Sequence, residues 1–154
     1  MSGTRYQHRQ DGPMWLVLAL VGALQLVLGV LLWRDGAALI LIPTSLLFFG
    51  LAGCFRFLEV TGDEEALAIR FGPMSVARKR IPYADIRSFA PARSHWIDGL
   101  GIHWNPSRGW IWNLWGRDCV ELELTNGRLR IGTDDVAGLV RHLEERLPAK
   151  ARSA

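Results

Sequence analysis

Two charge-free apolar stretches stand almost back to back near the start of this chain. One runs from Gly12 to Trp33 and the other from Gly36 to Phe55, with only Arg34 and Asp35 between them. A helix rises about 1.5 Å per residue, so about 20 residues cross a hydrocarbon core about 30 Å thick. Both stretches reach that length. The sequence therefore predicts a transmembrane α-helical hairpin over residues 14–56, with helices at about 14–33 and 37–56, after a cytoplasmic tail of residues 1–13. A cleaved signal peptide is the competing reading, favoured by the small residues Gly36, Ala37 and Ala38. Against it, signal-peptide apolar regions span roughly 7–15 residues, and this one is longer.

The flanks fit a bilayer. Trp15 and Trp33 bracket the first helix, and with Arg34 and Arg56 they are the expected membrane-interface anchors. Arg5, Arg9, Arg56 and Arg70 outnumber the single Arg34 at the hairpin tip, which predicts that both termini face the cytoplasm. Neither helix contains an ionisable residue, which argues against a channel or transporter made from this hairpin alone. Gln25, mid-helix, has two readings: a bond to the partner helix, or one to its own backbone. Pro43 predicts a kink whose freed carbonyl Thr44 or Ser45 satisfies. Association of helices through Gly22, Gly29, Gly50 or Gly53 lacks the small-xxx-small spacing.

From Arg56 onward there are 15 basic and 13 acidic residues, a net charge of +2, so no nucleic-acid-binding tail is present. Arginine far outnumbers lysine, the bias of a GC-rich bacterial genome. Cys54 lies in the second apolar stretch and Cys119 in a strand-like run, which argues against a disulfide.

Here the pattern changes to period-two alternation. Phe57–Val60 and Glu65–Phe71 flank a turn at 61–64, and strands are expected at about 87–90, 102–104, 110–114, 120–124 and 129–131. Tyr83-Ala84-Asp85-Ile86 reads as one helical turn, and Asn126-Gly127 as a tight turn. Thr133-Asp134-Asp135 supplies helix-capping side chains. Val136, Leu139, Val140, Leu143 and Leu147 then recur at helical spacing until Pro148. About seven strands and one helix predict an α+β chain. Its domain over 57–147 is a partly open antiparallel β-barrel closed by the C-terminal helix, and 148–154 is a disordered tail.

Particular strings resemble a group of bacterial membrane proteins with pleckstrin-homology-like (PH-like) domains. They are Ile69-Arg70-Phe71-Gly72-Pro73, Gly101-Ile102-His103-Trp104, Gly109-Trp110-Ile111-Trp112-Asn113, 116–122 and 130–135. The resemblance covers roughly 57–147. It implies a PH-like fold in a bacterial inner membrane and carries no catalytic residue with it.

Arg78-Lys79-Arg80 is the densest positive charge and the candidate site for anionic lipid headgroups. The competing reading is a solvated strand end, since alternation sends Lys79 to the face opposite Arg78 and Arg80. Five tryptophans fall between Trp96 and Trp115. About half are expected in the core, and Trp96 and Trp115 are the candidates for contact with a protein partner. Ser94, His95, Asp98 and His103 lack metal-ligand spacing and show no nucleophile–base geometry. No glycine run forms a phosphate cradle. No metal or other cofactor is expected. The expected function is a non-enzymatic, membrane-anchored module that binds a protein partner or lipid headgroups. The alternatives are a lipid hydrolase with its site within 94–118, and an assembly protein forming homo-oligomers through its helices.

Overall fold

The computed structural model describes residues 6–73, 77–94 and 101–151. The chain is α+β, with two helices, two sheets and a C-terminal helix.

Strand β1 (Tyr6–Asp11) comes first, ahead of both apolar helices. The segment read as an N-terminal tail thus carries a strand. Helices α1 (Met14–Leu31) and α2 (Ala38–Cys54) follow, joined through a 3-10 turn at Trp33–Asp35. Then come β2 (Phe57–Gly62), β3 (Ala66–Phe71) and β4 (Arg78–Pro82). β1 pairs antiparallel with β2 from Tyr6↔Gly62 to Asp11↔Phe57, so the chain leaves for the helices and returns from them at one point. The first sheet has the order β1-β2-β3-β4.

The second sheet contains β5 (Ile86–Arg93), β6 (Gly101–Asn105), β7 (Gly109–Asn113), β8 (Asp118–Leu124) and β9 (Gly127–Gly132). Its order is β5-β8-β9-β7-β6. Two separate sheets replace the expected single antiparallel barrel of seven strands. One pairing, β7 with β9, is parallel, because the β6–β7 hairpin folds onto the far side of β9. The described strands number nine: β1 was not among those expected, and β4 matches the strand end read at 78–80.

Helix α3 (Val136–Arg146) starts where expected, with the Asp135 carboxylate accepting from the Gly138 N–H at 3.0 Å. Leu139 and Leu143 bury completely among Val60, Leu67, Ile69, Val120, Leu122, Leu129 and Ile131, so both sheets and the helix share one core. The tail expected to be disordered carries a 3-10 turn at Ala149–Ala151, and Ala151 is buried in that core.

The helices pack on each other through Gly22, which faces Ser45 and Phe48, and Gly29, which faces Leu41 and Ile42. Elsewhere their surfaces are apolar and open, with Leu20 at 72% and Leu39 at 82% exposure. α1 has 18 residues and is long and apolar enough to cross a membrane; α2, with 17, is apolar but shorter. It ends at Cys54 because Phe55 turns into the domain, edge-on to Phe71 at 5.8 Å. Thr44 bonds to the Ile40 and Leu41 carbonyls and Ser45 to that of Ile42, so neither hydroxyl takes the Leu39 carbonyl that Pro43 frees. Gln25 bonds to neither expected partner through Oε1, which is buried without a hydrogen bond.

His142, on α3, sits 2.7 Å by Nε2 from the Tyr83 hydroxyl and stacks on Tyr6 at 5.3 Å. Only glycine fits opposite it: a Cβ on Gly62 would lie 2.1 Å from Nε2. Burial, then the Arg146 charge, push the His142 pKa down, while burial pushes Tyr83 up to about 12. Both side chains are therefore neutral at pH 7. Below about pH 6.5 the unfolded chain takes up a proton that folded His142 refuses, so stability is full above that pH and falls beneath it. Glu59 and Asp63 are also held below the usual carboxylate range, so their losses come at lower pH. Chemical unfolding of the full chain in micelles should show a midpoint falling between about pH 7 and 5. Tyr83→Phe/His142→Leu, which leaves no orphaned polar atom, should flatten that slope.

Candidate functional site

The register of the first sheet sets four charged residues in one row across its outer face. Arg9 on β1 lies opposite Glu59 on β2, Glu59 opposite Arg70 on β3, and Arg70 opposite Arg78 on β4. The row stands two residues, or about 7 Å, from the sheet end that joins the helices. That end is tightly built. Gly72, which ends β3 with φ +61°, packs so close to α2 that a Cβ would lie 2.6 Å from the Gly53 and Cys54 carbonyl oxygens.

Glu59 holds the row together. It bonds to Arg70 and accepts from Gln7 at 2.9 Å, and it is 5% exposed. Burial opposes its ionisation, but the hydrogen bonds from Arg70 and Gln7 and the charges of Arg70 and Arg9 outweigh that and hold its pKa low. Beside it the Phe57 ring is covered by the Arg9 guanidinium at 3.8 Å and by Arg70 at 5.6 Å. Arg56 lies 5.7 Å over the Trp15 ring where the helices meet the sheets.

The three residues of the 78–80 run line one groove but differ in the face they take and in their partners. Arg78 is exposed at the helix end of β4, and among the described residues it makes no ion pair. Lys79 lies opposite Ile69 on the inward face of this edge strand, as alternation predicts. Arg80 points away from the helices and pairs with Asp63 at 3.1 Å and Glu65 at 3.5 Å. An open groove of about 450 Å³ runs over Thr61, Ala68 and Arg70 and is lined by all three of Arg78, Lys79 and Arg80.

The tryptophans separate by position. Trp112 is 7% exposed, in the core and 5.8 Å from Phe71. Trp104 and Trp110 face each other across the β6–β7 hairpin near its tip, exposed at 59% and 45%. Trp115 is half exposed and lies beside Gly12, next to the start of α1. Trp33 and Arg34 are exposed at the hairpin tip. Trp96, His95 and Asp98 lie outside the described residues. The Ser94 hydroxyl is committed to the Cys119 sulfur at 3.6 Å, and Cys119 has its pKa pushed up by burial. Among the described residues no three His, Cys, Asp or Glu converge on a metal position.

Arg9, Arg70 and Phe57 were missed in the sequence. The β2–β3 turn sets Glu59 opposite Arg70 and was a usable signal for that pair; nothing local marks Arg9. Comparison with protein-family models, with curated proteins and with solved structures finds no match to this chain.

The split among tryptophans is measurable by chemical unfolding. Trp112→Ala should destabilise the domain by about 3–5 kcal/mol. Trp104→Ala should shift it by no more than about 0.5 kcal/mol.

Proposed function

We propose that this chain is a non-enzymatic, PH-like module anchored in a bacterial inner membrane by both α1 and α2. Its surface at the helix end engages anionic lipid headgroups. The observation that carries the reading is the ring of Arg9, Arg56, Arg70 and Arg78 where the helices leave the sheets, opposed by Asp11 and Glu59. Each basic residue near an anionic leaflet contributes about 1 kcal/mol. Trp15 and Trp33 stand 18 residues apart, about 27 Å along a helix, which suits the two interfaces of a bilayer. The open apolar faces of α1 and α2 exceed what a monomer exposes to water, and lipid chains cover them in this reading. The shorter α2 spans by drawing the bilayer thinner at its ends.

The shared β1–β2 ladder supports a hairpin that returns to the side it left, and the basic ring favours the cytoplasmic side for both termini. The two-sheet domain closed by α3 is a PH-like plan extended by β1 and by the parallel β7–β9 pair. The same surface is available to a protein partner, and the headgroup reading is preferred because the surface lies at the helix ends.

The test uses the full chain, because a fragment starting at Phe57 lacks β1. In nanodiscs, hydrogen exchange of β3 and β4 should slow when phosphatidylglycerol is added to phosphatidylcholine, and high salt should weaken the effect. Arg78→Ser should lose about 1 kcal/mol of that interaction, whereas Arg80→Ser, whose charge is already paired with Asp63 and Glu65, keeps it. Exchange indifferent to phosphatidylglycerol at low salt sinks the proposal.

A further inference from the structure

The Leu114–Gly116 loop is built in a way that neither the core nor the basic row explains. Its backbone is held from two sides by buried amides. Gln10, on β1 and 6% exposed, donates from Nε2 to the Trp115 carbonyl at 2.9 Å. Asn113, at the end of β7 and 2% exposed, donates from Nδ2 to the Gly116 carbonyl at 3.0 Å. Leu114 is fully buried beneath the loop. Yet the residue this clamp positions, Trp115, leaves 46% of its surface open. A large ring held rigidly in water forfeits the hydrophobic gain it would make elsewhere.

The loop lies beside the start of α1. Gly12, the second residue before α1, packs directly on it. A Cβ there would lie 3.0 Å from the Leu114 Cγ and 3.3 Å from the Trp115 Cβ. Trp15 follows in the first turn of α1, with Arg56 over its ring. Trp115 is therefore continuous with the aromatic and basic residues at the start of the helices, although it belongs to the second sheet.

We infer that Trp115 inserts into the interfacial layer of the bilayer crossed by α1 and so docks the β domain flat against the membrane. The chemistry is that of an interfacial tryptophan, with an apolar ring body among acyl-chain ends and a wet N–H. The occupant is lipid, with a protein partner as the alternative the test separates. Two supports then fix the domain: β1 and β2 tie one sheet to the helices, and Trp115 rests the other sheet on the surface. The docked orientation holds Arg70 and Arg78 near the headgroup plane. The inference rests on the membrane reading above.

The test is tryptophan fluorescence of the full chain in nanodiscs of phosphatidylcholine and phosphatidylglycerol, with and without lipids brominated near the headgroup end of their chains. Trp115→Phe should remove a share of the lipid-quenched intensity comparable to that removed by Trp15→Phe. Trp104→Phe, at the far hairpin tip, should remove none. If Trp115→Phe perturbs the loop, the same difference is read with Trp115→Tyr, which keeps an interfacial ring. Quenched intensity that falls in Trp15→Phe but not in either Trp115 variant overturns the docking and leaves the anchor intact. If Trp15→Phe and Trp33→Phe also leave the quenched intensity unchanged, the membrane anchor fails along with the docking.

Discussion

The pairing of β1 with β2 is the constraint on which the rest of the structure depends. Six registered residue pairs join a strand made before the helices to one made after them. Closing so long an excursion costs about 3 kcal/mol of chain entropy. The ladder offsets this with hydrogen bonds of about 1 kcal/mol each. The close packing at Gly22, Gly29 and Gly72 shortens the loop that must be closed. Helices and sheets therefore form one mechanical unit, with Phe55 carrying the contact from the end of α2 through Phe71 to Trp112.

The charge distribution follows from the same arrangement. β4 is a sheet edge, and an edge that carries Arg78, Lys79 and Arg80 is protected from pairing with another chain. That accounts for Lys79 on the inward face and for Arg80, which the acidic turn at Asp63 neutralises. Edge protection does not account for Arg78. It aligns with Arg70 and, through Glu59, with Arg9, so one buried carboxylate organises a surface of net positive charge. Within the run, Arg80 is paired with the acidic turn, Lys79 takes the inward face, and Arg78 makes no ion pair among the described residues.

Much of the fold was legible because its signals are local. Leu67, Ile69 and Phe71 alternate, Asn126-Gly127 turns, and Asp135 caps a helix whose apolar residues repeat at helical spacing. β1 was not legible: Tyr6-Gln7-His8-Arg9-Gln10-Asp11 has no aliphatic residue, and it is a strand because β2 offers it a ladder and the turn into α3 offers Tyr6 and His8 the carboxylates of Asp135 and Asp134. β4 was legible only as a charged strand end at 78–80. The parallel β7–β9 contact joins segments with a whole strand between them, which no short pattern reveals. The candidate site suffers the same limit. Arg78 stands out as charge, but its neighbours across the sheet emerge only from register. The exposed Trp104–Trp110 pair and the core position of Trp112 likewise emerge only once the strands are aligned.

The order in which the chain is synthesised runs against the order in which it can be completed. β1 leaves the ribosome first, but its partner follows the whole of residues 12–56. At about 5–20 residues per second that is a delay of roughly 2–9 seconds. Until β1 has paired with β2 across the two helices, the first sheet lacks a strand, and β2 keeps an open edge able to pair with other chains. Completion of the β domain thus depends on the packing of the two helices: a chain in which α2 fails to return along α1 keeps β1 and β2 apart and leaves a strand edge open to other chains.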